Sequence, residues 1–137
     1  MSAVQELIKN EENGALSFGN HTLAAKAKKE DFEHKGDLYK VKTFNEITKL
    51  EKNGLFVYES VPGTSVNDFE ETADGITCLV EGDKDAQITL GLADDSEYEV
   101  FVGGNSVGRM KTNLGGKLSL SMELEGEGEV ELKVKKI

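Results

Sequence analysis

The chain predicts an all-β fold, an antiparallel β-sandwich forming a single domain over residues 1–137. About eight or nine short strands are expected, with one or two short helical segments in the N-terminal half. Three observations carry this. Several segments alternate apolar and polar residues with period two, the mark of a half-buried strand. Turn-forming clusters recur between them, in a chain with 15 glycines and one proline. No Pro- or Ser-rich linker and no internal repeat divides the 137 residues, a length that fits one domain.

Taken from the N-terminus, "SAVQELIKNEENG" opens with a capping-box pattern, Ser2 with Gln5, and sets Val4, Leu7 and Ile8 on one side. A short helix is expected there. "GALSFGNHTLAA" supplies an early strand, and "DLYKVKTF" follows the turn "HKGD" as part of a hairpin. "FNEITKLEKNG" reads two ways. Phe44, Ile47 and Leu50 have helical spacing with Asn53-Gly54 as a stop, while Asn-Gly is also the favoured two-residue hairpin turn. A helical turn is the expectation adopted. "GLFVYESV" is apolar on both faces and therefore belongs in a sheet interior. Gly63, just after the only proline, marks the crossover between sheets.

"GITCLVEG" and "AQITLGL" are strands joined by "EGDKD". Downstream the alternation is cleanest. "YEVFV" points Tyr98, Val100 and Val102 inward, "KLSLSMEL" does the same with Leu118, Leu120, Met122 and Leu124, and "EVELKVKK" with Val130, Leu132 and Val134. With turns at "GGNS", "NLGG" and "EGEGE", residues 97 to 135 read as an antiparallel meander. The closing Lys133, Lys135 and Lys136 are the kind of charges that protect an edge strand.

Composition excludes several functions. Twenty-six acidic against 16 basic residues give a formal charge of −10, which repels a phosphate backbone, so no nucleic-acid partner is expected. The start lacks a basic region followed by an apolar one, and no segment reaches the roughly 18–20 apolar residues that span a bilayer, so no membrane association and a cytoplasmic location are expected. Cys78 is the sole cysteine, in "ITCLV", and reads as a small buried hydrophobe.

"GNSVG" at 104–108 matches the G-x-S-x-G nucleophile elbow, but strands follow it where that motif needs a helix, and His21 and His34 both precede Ser106. A glycine-rich turn joining two strands is the reading adopted. Gly103 and Gly108 have phosphate-loop spacing, yet Arg109-Met110 occupies the place of Lys and Ser or Thr. Asp83 with Asp85, and Asp94, Asp95, Glu97 and Glu99, lack the remaining ligands of a calcium loop. No catalytic residue, metal or cofactor is therefore assigned. For a carbohydrate or other small ligand, Tyr39 and Phe101 are the aromatics expected to face outward and stack on it.

"TFNEITKLEKNGLFVYESVPGTSVNDF" with "YEVFVGGNSVGRMKTNLGGKLSLSMEL" resembles a group of small bacterial proteins labelled endosialidases, over most of the chain. The label implies three arginines gripping a sialic acid, a tyrosine nucleophile and Asp boxes on a propeller. Arg109 is the only arginine and tryptophan is absent, so no active-site residue carries over. The second stretch is also similar to sandwich modules attached to carbohydrate-active enzymes. The function expected is a non-catalytic interaction or assembly module that binds a protein partner or itself, with a carbohydrate- or ligand-binding accessory module as the alternative and a hydrolase third.

Overall fold

The computed structural model describes residues 3–137 as thirteen strands in two antiparallel sheets. The strands are β1 (Ile8–Asn10), β2 (Leu16–Phe18), β3 (Ala27–His34), β4 (Asp37–Thr43), β5 (Thr48–Lys52), β6 (Leu55–Val61), β7 (Ser65–Thr72), β8 (Gly75–Glu81), β9 (Ala86–Gly91), β10 (Glu97–Val102), β11 (Asn105–Lys111), β12 (Lys117–Met122) and β13 (Val130–Lys136). One sheet has seven strands in the order β1, β2, β7, β8, β13, β10, β11, and the other six in the order β12, β9, β6, β5, β4, β3. Among the described residues, no helix is long and apolar enough to cross a membrane.

Alternation builds the core. Leu118, Leu120 and Met122 of β12, Leu132 and Val134 of β13, and Tyr98 and Val100 of β10 turn into one hydrophobic cluster shared by both sheets. At its centre Phe18 meets Tyr58 and Phe69 edge-on, with centroids 5.3 and 5.5 Å apart, geometries that suit the aromatic quadrupole. β6 lies inside its sheet between β9 and β5. Its register against β5 shifts at Leu50/Glu51, so Val57 and Tyr58 are buried in succession. This bulge is why "GLFVYESV" looks apolar on both faces. Gly63 lies in the crossover from β6 to β7, which changes sheets.

Several expectations are corrected. Neither helical segment forms. Ser2, the proposed cap, lies outside the described residues, and Leu7 takes a φ of +73°, which ends any helical turn before Ile8 is buried in β1. Residues 48–52 pair as β5, and Asn53 and Gly54, at φ +51° and +80°, form the two-residue hairpin turn instead of a helix stop. The meander is broken, because β12 leaves β10, β11 and β13 to pair with β9 in the opposite sheet. β13 is not an edge strand but a central one between β8 and β10, and its lysines cover the outer sheet face. The charged β3, "AKKEDFEH", carries no apolar alternation, so nothing in the sequence marks it as a strand.

Candidate functional site

The loops at one end of the sandwich are tied together by buried hydroxyls. Tyr58 Oη and Ser60 Oγ each meet Thr64 Oγ1 at 2.7 Å, and Thr48 Oγ1 donates to the Thr64 carbonyl at 2.7 Å. Thr43 Oγ1 pairs with Thr48 Oγ1 at 2.8 Å and accepts the Asn20 amide at 2.9 Å. Thr43, Thr48, Ser60 and Thr64 are fully buried, and every one of them has a partner. The backbones therefore approach closely: a Cβ on Gly63 would sit 1.9 Å from the Phe44 carbonyl oxygen.

Above this network lies a cavity of about 550 Å3 lined by His21, Asn45, Glu46, Val61, Pro62, Gly63, Asp83 and Lys84. His21 is held from behind. Its backbone N–H donates to Ser65 Oγ at 3.2 Å, and its Nδ1 lies 2.6 Å from the same oxygen. Ser65 Oγ thus holds the ring on its Nδ1 side, and Nε2 faces Asp83 Oδ1 at 3.5 Å. The trio has the residue types of a serine triad, yet Ser65 is fully buried with its oxygen engaged twice, so it orients the ring and no substrate reaches it. Among the described residues, no three His, Cys, Asp or Glu side chains converge on a point that could hold a metal ion. Asp85 instead accepts the Leu124 and Glu125 amides at 2.9 and 3.2 Å.

The two aromatics chosen from sequence do not meet. Tyr39 is 5 % exposed, inside the sandwich, edge-on to His34 at 5.6 Å, and burial raises its phenol above the usual range. Facing it outward would have driven Lys40 and Lys42 into the core, which is the physical reason the parity goes the other way. Phe101 does sit on the outer face of the seven-stranded sheet, half-buried, with Lys133 Nζ 5.8 Å from its ring centre. Ser106 is an exposed residue of β11 whose hydroxyl donates to Glu99 at 2.9 Å, and the turn is made by Gly103 and Gly104 at φ +61° and +86°.

The sheet edges form the second site. β1 has three residues and is flanked by β3, where His34 Nδ1 donates to Asn10 Oδ1 at 2.5 Å. The edge strand β3 is interrupted between Lys29 and Phe32, with Asp31 at φ +55°. β11 carries a bulge at Val107, since Phe101 faces Ser106 and Val100 faces Gly108. These devices spoil a flat pairing surface. β12 has none, running in unbroken register with β9 from Lys117↔Gly91 to Met122↔Ala86.

Antiparallel strands exchange bonds at alternate residues. The Leu92 amide donates to the Gly116 carbonyl at 2.7 Å, so the ladder continues through Leu118, Leu120 and Met122. The backbone groups of Ser119 and Ser121 consequently point away from β9, and no strand pairs with them among the described residues. β1 and β3 share one end of the sandwich. At the far side, β11 ends the seven-stranded sheet with six of its seven residues exposed, and the open edge of β12 ends the six-stranded one. No alternation in "KLSLSMEL" could signal it, since an edge strand and a central one share the same pattern.

Comparison with protein families, curated proteins and solved structures finds no match for this chain.

Proposed function

We propose that the protein is a non-catalytic, cytoplasmic assembly module that takes up an extended strand, from a protein partner or from another copy of itself, along the open edge of β12. The observation that carries this is the contrast among the four edges: three are shortened, bulged or charged, and β12 alone is regular and open. Main-chain bonds from Ser119 and Ser121 supply affinity in such strand addition. The outward side chains around them are uncharged. Ser119 meets Thr89 at 3.0 Å and Ser121 donates to Gln87 at 2.6 Å, so an incoming strand desolvates no charge there. A lone buried thiol without a disulfide suits the reducing cytoplasm.

Ser121→Pro removes one outward donor where an edge strand tolerates proline. Tagged wild type and Ser121→Pro protein, purified from native cells that also express an untagged copy, test the reading. A protein retained by wild type and lost with the variant, at unchanged melting temperature, supports it. Identical retention by both overturns it.

The cavity at the loop end favours a second reading, the ligand-binding module. Its volume of about 550 Å3 lies in the range of roughly 300–1,000 Å3 typical of small-molecule sites. Asp83, Glu46, Asn45 and Lys84 offer acceptors and donors for hydroxyls beside the apolar surface of Val61 and Pro62. Thermal-shift titration with neutral sugars tests it. Stabilisation lost in His21→Ala supports the reading, and a flat response across mono- and disaccharides counts against it.

A further inference from the structure

A row of like charges crosses the outer face of the six-stranded sheet. Lys28 of β3 lies directly opposite Lys42 of β4, and Lys42 lies opposite Lys49 of β5. Alternation turns Lys42 and Lys49 outward, since Val41, Thr43, Thr48 and Leu50 beside them are buried, and the register puts Lys28 on the same face. Like charges set directly across a strand pair destabilise it, and Lys42 has one on each side. Neutralisation is incomplete. Glu30 approaches Lys28 and Lys40 at 3.7 and 3.8 Å, but among the described residues Lys42 and Lys49 have no ion pair, although Glu59 of β6 faces Lys49. Lys26 adds a fourth ammonium at the same end of the face, 5.8 Å from the ring centre of Phe44. Edge protection explains charge on β3 but not Lys42 and Lys49, whose strands are inside the sheet.

We infer that this face docks a short, carboxylate-rich segment of another protein. The unpaired ammonium groups give the patch a sign opposite to the formal charge of −10 on the whole chain, and a partner's carboxylates set among them remove the cross-strand repulsion. Geometry limits the partner. Strands lie about 4.8 Å apart, so the stems of Lys28 and Lys49 stand about 10 Å apart, the reach of about three residues of extended chain. A longer polyanion runs past the lysines along a chain with a surplus of carboxylates, which disfavours nucleic acid. Guanidinium groups, which grip phosphate bidentately, are missing from the face, because Arg109 is the one arginine and lies on β11 of the other sheet. Each copy's formal charge of −10 opposes pairing with a second copy. β9 and β6 separate β12 from the lysine-bearing strands, so this face is independent of strand docking.

Fluorescence anisotropy of labelled hexaglutamate, hexaglutamine and a short oligothymidylate, titrated with the full chain at low salt and at about 150 mM, tests the face. Hexaglutamate should bind, hexaglutamine should not, and salt should weaken the binding. Lys42→Glu combined with Lys49→Glu should weaken it about tenfold or more. Lys133→Glu combined with Lys135→Glu changes the net charge equally on the other sheet and should leave it within about twofold. Lys42→Glu alone should raise the melting temperature, because a carboxylate then stands between Lys28 and Lys49, and melts of the double variants check that they are folded. Absence of hexaglutamate binding, equal loss in the two double variants, or a melting temperature lowered by Lys42→Glu would overturn the inference. Tighter binding of oligothymidylate assigns the face to a phosphate polymer, and self-association in sedimentation that is lost with Lys42→Glu assigns it to a second copy; either result overturns the acidic segment.

Discussion

Thr64 stands between Tyr58 and Ser60, its hydroxyl 2.7 Å from the hydroxyl of each, at a position with no access to water. Thr64→Val keeps the shape and removes this shared partner. Leaving buried hydroxyls unpaired costs about 1–3 kcal/mol. Urea unfolding should show a loss in this range for Thr64→Val. Tyr58→Phe should cost less, because Thr64 keeps Ser60 as a partner.

Gly63 tests how tightly the same loops close. A Cβ there would meet the Phe44 carbonyl oxygen at 1.9 Å, so Gly63→Ala must move backbone. Gly36, in the turn between β3 and β4, has a φ of +85° and open space around it. Gly36→Ala should lose about 1 kcal/mol from backbone strain alone. Gly63→Ala should lose clearly more, as compared by thermal melts of the two variants.

His34 gives the fold a pH dependence. Burial, reinforced by the Lys35 charge and opposed by Asp37, holds its imidazole below the ordinary value of 6.5. The unfolded chain therefore takes up the proton first. Its contribution is fully present above about pH 6.5 and is lost as pH falls through the lower folded value. Urea midpoints measured at neutral pH and stepwise down to pH 5 should fall more steeply for wild type than for His34→Gln.

Cys78 should be chemically quiet. Burial, with the Glu131 charge adding to it, pushes its thiol up to about 12, and the residue is 1 % exposed. Iodoacetamide at pH 8 should leave native protein unmodified and label it in urea. Rapid labelling of the native state would contradict the packing of β8 against β13.

Much of the fold was legible because period two records which side of a strand meets the core. Leu118, Leu120 and Met122, and Leu132 and Val134, are buried as their alternation requires. The same pattern carries no information about which sheet a strand joins, which is why alternation alone points to a meander for β12 and an edge for β13 while pairing puts them elsewhere. Helical spacing in "FNEITKLEKNG" lost to cross-strand pairing, since a segment this short gains little as an isolated helix. Tyr39 is buried because Lys40 and Lys42 decide the parity of β4. The loop-end cavity gathers His21, Glu46 and Asp83 from three separate loops, a proximity that only the closed sandwich creates.

Amide hydrogen exchange along β12 tests the open edge most directly. In dilute protein, Leu118, Leu120 and Met122 should be protected by β9 while Ser119 and Ser121 exchange quickly, and the two serines should become protected once the partner strand is bound. Ser119 and Ser121 already protected in the dilute monomer, or still unprotected in the assembly, would contradict docking at this edge.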